Sequence, residues 1–351
     1  MSVLHLTHAT RWRGGENQLF TLVRNLPDEW RGELVAPPGS EVAARLAAHM
    51  PVVEAANAGF ADIRSILMVR QLLRSGRFRL IHAHTSRAHE VAMMARIGLS
   101  MPMLVSRRNA FVASGGLKYR GPERFVAISR ASADRIADAG VERSRISIIH
   151  CAVELPARPD VRPDPMSVVC VAAFEAEKDH ATLLAAWSAV EREEPAARLR
   201  LVGEGSLQER IVALAGELGL KRVSIEPTGD LLEQYRDAGI AVLTSVEEGL
   251  GSSLCLAQGM GVPVVATRAG GIPEVVEEGV TGLLAEPGDA EGLAAALLRL
   301  MRDDGLCAAL SKAGPPRARR LFDAADAARR YAAIYADMAG EAQERASRLS
   351  A

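Results

Sequence analysis

Short apolar runs alternate with amphipathic segments along most of the chain. In the first half the apolar runs are rich in Val, Ile and Leu, and the segments between them carry apolar residues at helical spacing. Runs of this kind, alternating with helices, are typical of a parallel sheet covered on both faces. The predicted strands are Val3–Thr7, Gly32–Ala36, Val52–Glu54, Leu80–His84, Met103–Ser106, Phe125–Ile128 and Ile146–Ile149. The predicted helices are Asn17–Asn25, Glu41–His49, Ile63–Arg74, Glu90–Ile97 and Ala131–Ala139.

A proline-rich stretch then interrupts the alternation. Four prolines fall within Leu155–Pro165, which excludes a helix or a central strand there. We therefore predict a linker at 156–165 between a first domain, 1–155, and a second, 166–323. The alternation resumes with predicted strands Ser167–Ala172, Arg198–Val202, Val223–Ile225, Ile240–Leu243 and Val264–Ala266. The helices predicted here are Ala181–Arg192, Gln208–Leu218 and Leu254–Gly259, followed by a long terminal amphipathic pattern over Ala324–Arg348.

Two open α/β domains of similar size follow from this pattern. Ligands of such sheets lie at the carboxyl ends of the strands, so two facing sheets predict a ligand cleft between the domains.

The composition fits a globular protein, with 48% hydrophobic and 24% charged residues in 351. The net charge of −1 hides an asymmetry, because residues 1–155 carry +8 and the remainder carries −9. A basic half suggests an anionic partner, although drift in an Arg-rich chain explains it equally well. Four cysteines without a CxxC pair predict reduced thiols.

The expected location is the cytoplasm. No apolar run approaches the ~18 residues of a membrane-spanning helix, and the N-terminus opens directly into a strand pattern. Any membrane contact is expected to be peripheral, on the inner face of the cytoplasmic membrane.

Two glycine pairs lie between a predicted strand and a helix. Gly14-Gly15 follows the first strand and is preceded by Arg11 and Arg13, and Gly270-Gly271 follows the strand ending at Ala266. Backbone without a Cβ can approach a phosphate closely, and a helix N-terminus favours an anion. Either pair alone could be an ordinary tight turn, but one such loop in each domain fits a diphosphate.

A third glycine segment carries acidic residues. Glu247 and Glu248 follow the predicted strand Ile240–Leu243, and Gly249 and Gly251 open the next helix. A carboxylate at this position could bond sugar hydroxyls, whereas an exposed acidic loop is the plainer interpretation.

Taken together, these segments resemble the signature of the retaining glycosyltransferases of family 4. The matching motifs are Glu248-Gly249-Leu250-Gly251, Gly261–Thr267, Gly270-Gly271-Ile272-Pro273-Glu274 and Gly279–Leu284. Weaker matches extend the resemblance over nearly the whole chain: Arg13-Gly14-Gly15, Ile81-His82-Ala83-His84, Lys178 and Val202-Gly203-Glu204-Gly205.

The resemblance implies an α/β protein with the GT-B fold, in which two facing Rossmann-like domains with doubly wound parallel sheets flank an interdomain cleft. It implies that a C-terminal helix, about 324–351, packs back on the first domain. It also implies a nucleotide-diphosphate sugar as donor, with a UDP-sugar expected, and retention of anomeric configuration. The implied catalytic residues are Glu248, His84 and Lys178. The implied donor-binding residues are Gly14, Gly15, Gly203, Lys178, Glu248, Gly249, Gly251, Gly270, Gly271 and Glu274. His82 is expected to be a buried strand residue.

Three positions depart from the family pattern. Leu256 replaces the second acidic residue, which holds the donor ribose, Ala173 replaces a donor arginine, and Gly239 replaces an aspartate. The donor domain is therefore matched in outline and altered in detail.

The chain has no Asp-x-Asp pair, so we expect no cofactor and no metal, with cations and backbone N–H groups stabilising the leaving phosphate. Arg107 and Arg108, together with Arg11 and Arg13, are candidates for binding a glycan or lipid-linked, envelope-polysaccharide acceptor that carries phosphate. A solvated Arg-rich loop is the alternative. No nucleic-acid-binding module is recognisable.

Two other functions fit the same fold. One is a nucleotide-sugar epimerase. The other is a non-catalytic, glycosyltransferase-like binding protein, which Leu256 and Ala173 favour and the remaining motif residues oppose. A nicotinamide dehydrogenase is less supported, because no complete G-x-G-x-x-G follows the first strand.

Overall fold

A computed structural model describes residues 2–12, 14–108, 116–156 and 164–349, without the side chains of Leu117 and 343–349. The chain divides into two compact units, Met1–Ala152 with Ala324–Ala351 (unit 1) and Val153–Asp323 (unit 2).

Unit 1 is built on a parallel sheet of seven described strands in the order β3-β2-β1-β4-β5-β6-β7. The strands are β1 (Ser2–Leu6), β2 (Glu33–Ala36), β3 (Val52–Glu54), β4 (Phe78–Ala83), β5 (Met103–Arg107), β6 (Arg124–Ala127) and β7 (Ile146–Ile148). The helices are α1 (Gly14–Asn25), α2 (Asp28–Arg31), α3 (Glu41–Leu46), α4 (Ile63–Arg74), α5 (Ser86–Ala95), α6 (Leu117–Arg120) and α7 (Arg130–Asp138).

Unit 2 repeats the architecture with six described parallel strands in the order β10-β9-β8-β11-β12-β13. The strands are β8 (Asp164–Val171), β9 (Arg198–Val202), β10 (Val223–Glu226), β11 (Ala238–Leu243), β12 (Val264–Thr267) and β13 (Gly282–Ala285). The helices are α8 (His180–Glu193), α9 (Gln208–Glu217), α10 (Leu231–Arg236), α11 (Ser252–Gly259), α12 (Ile272–Val275), α13 (Ala290–Arg302) and α14 (Asp304–Phe322).

The last helix, α15 (Ala324–Leu349), belongs to unit 1. Its residues Tyr331, Tyr335 and Met338 recur at helical spacing and are buried against one face of the unit 1 sheet, with Leu80 and Leu104. This face is part of the hydrophobic core, so the helix completes the sheet's cover. Among the described residues, no helix is both long and apolar enough to cross a membrane.

The strand predictions largely agree with the structure, and the differences have local causes. The predicted linker 156–165 overlaps β8, which begins at Asp164; Pro165 is tolerated because it lies near the first residue of the strand. Residues 157–163 lie outside the described part of the chain. Strand β13 was not predicted, because its short GLLA run carries little periodic signal. Helix α5 begins at Ser86 rather than Glu90, since Thr85 is extended and forms its N-cap position.

Candidate functional site

Both units place their candidate residues at the same topological point. In unit 1 the chain continues from β1 towards one edge of the sheet and from β4 towards the other, so the strand order reverses between these two neighbours. In unit 2 it reverses in the same way between β8 and β11. The carboxyl ends of such strand pairs form the ligand crevice of open α/β sheets. Gly14-Gly15 and His84 follow the unit 1 pair, and Lys178 and Glu248 follow the unit 2 pair.

Lys178 and Glu248 form an ion pair in unit 2. Lys178 ends a short 3-10 turn, Ala176–Lys178, and its Nζ donates to Glu248 Oε2. Ser245 Oγ donates to the same carboxylate oxygen at 3.2 Å, and the Gly249 amide donates to Oε1 at 3.1 Å. Both charged side chains are largely but not completely buried. The cation and the carboxylate predicted to bind the donor therefore meet directly.

The second glycine pair, Gly270-Gly271, packs against the main chain of Glu248. Gly270 has φ +50°, and a Cβ there would overlap the main-chain carbonyl of Glu248. The amide of Gly271 donates to that carbonyl at 3.1 Å, and Thr267 Oγ1 donates to the Ser245 carbonyl at 2.5 Å. Only glycine permits this approach at position 270 without strain. The structure thus brings Lys178, Glu248, Gly270 and Gly271 into one cluster.

The other donor-domain predictions surround this cluster with different local roles. Gly251 adopts φ +92° and precedes α11, while the neighbouring Gly249 is buried. Gly203 packs so closely on Ala172 that a Cβ would overlap the Ala172 carbonyl, which accounts for glycine there by packing alone. Glu274 lies in α12, and its amide donates to the Gly271 carbonyl at 3.0 Å.

The departures from the family pattern have partial structural explanations. Gly239 sits where β11 shifts register against β8, and a Cβ there would overlap the carbonyl of Asp164. An aspartate would not fit this approach. Leu256 is buried in α11, and Ala173 is half-buried after β8. Neither can donate or accept a side-chain hydrogen bond.

His84 is held at both ring nitrogens in unit 1. Arg108 Nη2 lies 2.9 Å from His84 Nδ1, and His84 Nε2 lies 2.9 Å from His5 Nδ1. Arginine only donates, so His84 Nδ1 must accept, Nε2 must carry the proton, and His5 Nδ1 must accept in turn. The chain of bonds therefore fixes the tautomers of both imidazoles.

Arg108 also joins this chain to the first glycine loop. Its Nη1 donates to the carbonyl of Gly15 at 2.9 Å, while Nη2 serves His84. A Cβ on Gly15 would meet no atom within 4 Å, so protein packing does not require glycine at this position. The open space at the start of α1 is what the approach of a phosphate would need.

His82 is a buried structural residue, as the sequence predicts. Its ring nitrogens lie 2.7 Å from Tyr335 Oη and 2.8 Å from Ser106 Oγ, and Ser106 Oγ lies 3.1 Å from Tyr331 Oη. These bonds tie β4 and β5 to α15 through polar groups that the sheet buries.

The histidine cluster is neutral. Burial lowers the pKa of His84 well below its usual value, with further contributions from His82, Arg108 and His5. Burial likewise lowers the pKa of His82, and that of His5 to about 3. The three rings are close enough to hold a metal ion. However, both nitrogens of His82 and of His84 and one of His5 already have protein partners, so hydrogen bonds account for the arrangement.

The predicted acceptor arginines differ in position. Arg107 is buried, with Nη2 3.3 Å from His89 Nδ1 and its guanidinium over the Tyr119 ring. Burial lowers the pKa of Arg107. Arg107 and Arg108 are thus engaged with partners within unit 1, which does not fit a freely solvated arginine loop; their role in binding an acceptor stays a prediction. Arg11 is exposed, and Arg13 lies outside the described residues.

Sequence reasoning missed His5, Ser245 and Thr267 as parts of these clusters. His5 interrupts an apolar strand between Leu4 and Leu6, and a polar residue in a strand buried on both faces was a usable signal. Ser245 Oγ bonds to Glu248 three residues further on, and Thr267, the last residue of the matching segment Gly261–Thr267, bonds to the Ser245 carbonyl 22 positions away. Neither bond follows from the apolar pattern of the sequence.

Both units are similar in sequence to known protein families. Residues 12–156 match the family model described as Glycosyltransferase Family 4, and residues 165–303 match that described as Glycosyl transferases group 1. The D-inositol 3-phosphate glycosyltransferase of Saccharomonospora viridis is 30% identical over 302 residues, covering 73% of this chain and 69% of that protein. The amylovoran biosynthesis glycosyltransferase AmsK of Erwinia amylovora is 28% identical over 197 residues, covering 52% and 48%.

Solved structures share the fold. HepE of Anabaena, in complex with UDP-glucose, superposes with a TM-score of 0.83 at 20% identity, covering 96% of this chain and all of that one. The lipopolysaccharide outer core galactosyltransferase WaaB gives a TM-score of 0.77 at 17% identity, with 96% and 100% coverage. The two parallel-sheet α/β domains therefore have the GT-B fold, as the sequence predicts.

Proposed function

The chain belongs to the glycosyltransferases that join a Family 4 domain to a group 1 domain, and from this premise we propose that it transfers a sugar from a UDP-sugar to a phosphate-bearing or lipid-linked glycan with retention of configuration. The observation that carries the proposal is the Lys178–Glu248 pair held beside Gly270-Gly271. HepE, which shares the fold, binds UDP-glucose, and this supports the choice of base.

The donor would separate the ion pair. The diphosphate would take the Lys178 ammonium beside the backbone N–H of Gly270, and the freed Glu248 carboxylate would accept hydrogen bonds from sugar hydroxyls. Negative charge grows on the leaving phosphate as the glycosidic bond breaks, and a fixed cation and fixed amides stabilise it. This route needs no metal. The leaving phosphate would then take the proton of the acceptor hydroxyl, which keeps the proton count balanced.

Unit 1 would hold the Gly14-Gly15 loop in place for the substrates. His84 has no ring nitrogen left for a substrate, so it would act by holding Arg108 and, through it, the Gly15 loop. Gly14 and Gly15 would face the donor phosphates or the acceptor, and Arg11 would be available to an acceptor phosphate.

The donor half of the proposal is tested by calorimetric titration of the purified chain with UDP, GDP and ADP, in the presence of a chelator. We expect saturable binding of UDP that Lys178→Ala weakens at least about tenfold, since a charge-assisted bond to phosphate is lost. Lys312→Ala, at an exposed lysine of the same unit, is the matched control. If none of the three nucleotides binds, the proposal fails. Leu256 and Ala173 would then explain the loss of donor binding and favour a non-catalytic binding protein.

The stereochemical half needs no known acceptor. Water can accept the sugar slowly, so the anomer first released from an α-linked UDP-sugar can be followed by NMR before it mutarotates. Early α-sugar supports retention, and early β-sugar excludes it. The same spectra recorded with and without chelator test metal independence.

A further inference from the structure

Thr244 is a polar residue that is completely buried in unit 2. It follows the last residue of β11 and is 0% exposed. Its Oγ1 atom lies 2.9 Å from the carbonyl oxygen of Lys178 and 3.1 Å from that of Asp179. A hydroxyl carries one proton, so the two carbonyls share a single donor. Thr244 therefore bonds to the main chain of the residue that the proposed function assigns to the diphosphate.

The main chain beside Lys178 has an unfavourable conformation. Asp179 adopts φ +45° and ψ +54°, in the left-handed region that residues other than glycine rarely occupy. Its side chain is the N-cap of α8, since Oδ1 accepts from the Thr182 amide at 3.2 Å and Oδ2 from the Thr182 hydroxyl at 2.6 Å. A conformation of this kind persists where several surrounding contacts hold it.

A further bond joins the same two segments of the chain. The Val246 amide donates to the Glu177 carbonyl at 2.9 Å. The segment that follows β11 thus bonds to three consecutive carbonyls of the segment that follows β8, those of Glu177, Lys178 and Asp179. Because β8 and β11 are neighbours in the sheet, these bonds fix the two loops that carry the ion pair relative to each other.

This anchor gains importance when the donor binds. In the structure the ammonium of Lys178 is held by the Glu248 carboxylate. The proposed reaction separates this pair, and the lysine side chain has a long flexible stem that does not by itself direct the ammonium. The bonds from Thr244 end on main-chain carbonyls, so the donor can take the ammonium without breaking them.

We propose that Thr244 is a positioning residue for Lys178. Its hydroxyl holds the turn at Lys178 and Asp179, so that the ammonium stays directed at the donor diphosphate when Glu248 no longer bonds to it. Thr244 itself touches no substrate, because it is buried and its single proton is shared by the two carbonyls. The inference rests on the proposed function, which assigns Lys178 to the diphosphate.

A double-mutant cycle of Thr244→Val and Lys178→Ala, read by calorimetric titration with UDP, tests this role. Valine keeps the branched shape and removes the hydroxyl. We expect the single variant Thr244→Val to bind UDP about fivefold more weakly, as for the loss of one neutral hydrogen bond. In the Lys178→Ala background the same change should have no further effect, because Thr244 acts through Lys178. An equal loss in both backgrounds would show a purely structural role and overturn the proposal.

Serine and alanine at position 244 isolate the contribution of the hydroxyl. Both side chains lack the γ-methyl group of threonine, and they differ from each other only by the hydroxyl oxygen. Thr244→Ser should keep the UDP affinity within about twofold, whereas Thr244→Ala should lower it about fivefold. Equal UDP affinity of these two variants would overturn the proposal. This comparison also decides the question if Thr244→Val does not fold.

Tyr235→Phe is the matched control. Tyr235 is also buried in unit 2, and its hydroxyl donates to the main-chain carbonyl of Ser253 at 2.9 Å. Removing this hydroxyl should leave the UDP affinity unchanged, and a loss equal to that of Thr244→Val would contradict a specific role of Thr244. If the unaltered chain binds no UDP, the proposed function fails together with this inference. UDP binding that depends on Lys178 but not on Thr244 would overturn this inference alone.

Discussion

The two units share a strand arrangement but place different chemistry at the same point of it. At the switch point of unit 2, a lysine and a glutamate are held together by glycine backbone and remain partly accessible. At that of unit 1, buried neutral imidazoles form a chain that starts at Arg108 and reaches a glycine loop. At these two points, the charged pair that remains accessible to a ligand thus belongs to unit 2, and the bonds that hold geometry belong to unit 1.

The distribution of histidine underlies the contrast. Seven of the eight histidines lie within residues 1–152, and only His180 lies in unit 2. A buried imidazole supplies one donor and one acceptor without a net charge, so it can link strands in a dry sheet where an ion would be costly.

Lowering the pH should destabilise unit 1 more than unit 2, and this is the largest difference that we expect between the units. Burial lowers the pKa of His5 and His89 to about 3, and lowers those of His82 and His84 well below the usual value; in unit 2 it lowers that of His180 to about 4. Below about pH 6.5 these histidines take up protons in the unfolded chain but stay neutral in the folded unit. The free energy of unfolding therefore falls as the pH falls, until the pKa values of the folded state are reached. Each such histidine costs up to about 1.4 kcal/mol per pH unit in that window.

Hydrogen exchange read by mass spectrometry on the full chain measures this effect. Between about pH 7 and about pH 5, after correction for intrinsic rates, protection should fall much more in β1, β4 and β5 than in β8 and β11. Equal losses in both units would contradict the assignment of neutral, fixed histidines to unit 1.

Glu248→Gln tests whether unit 2 meets the reacting sugar. We expect the transfer rate to fall by about 10²–10³-fold, since a group aimed at the transition state is lost. UDP binding should stay equal or become tighter, because Lys178 no longer has a carboxylate partner. Steady-state kinetics and calorimetry separate the two effects. The neighbouring Glu247→Gln is the control, and an equal rate loss there would remove the special role of Glu248.

Gly270→Ala tests the glycine backbone of the same cluster. The new Cβ would overlap the Glu248 carbonyl, so we expect UDP affinity to fall at least about tenfold, in line with misplacement of the ligand-binding loop. Gly288→Ala is matched, because Gly288 also has positive φ (+79°) but open space around its Cβ position. Both variants should lose about 1 kcal/mol of stability from the left-handed backbone. Equal UDP affinity in both would show that the close approach is dispensable.

Arg108→Gln tests the positioning role in unit 1 and should have the smallest effect, a roughly tenfold fall in the transfer rate from a displaced loop. The diagnostic readout is the nitrogen NMR spectrum of His84 in the unaltered chain, which should show the proton at Nε2 and an accepting Nδ1. Arg108→Lys should rescue part of the rate, as an ammonium can serve either Gly15 or His84. Arg143→Gln, at an exposed arginine paired with Asp134, is the control. Protonation of His84 at Nδ1 in the unaltered chain would refute the chain of bonds.

The glycine motifs of the unit 2 site could be predicted from the sequence because each depends on neighbouring residues. Glycine at 251 and 270 is demanded by a left-handed backbone conformation, and at 270 also by close approach to the Glu248 carbonyl; such demands appear in the sequence as fixed spacings. The pairing of Lys178 with Glu248 joins residues 70 positions apart, and the strand order alone brings them together.

The unit 1 network was largely hidden for the opposite reason. His84 and Arg108 were named as candidates, but their roles were set by partners at Gly15 and His5, on other elements. Arg107 and Arg108 are adjacent in sequence, yet one packs on Tyr119 and the other on His84, because successive side chains at a strand end point to opposite faces.

The sequence by itself determined the two parallel sheets, the terminal helix and the glycine positions, since alternating apolar runs and backbone requirements act over a few residues. Only the tertiary structure decided which polar groups meet and which histidine nitrogens carry protons. Hydrogen bonds, burial and charge pairing join residues that are distant along the chain, so their outcome depends on the packed fold.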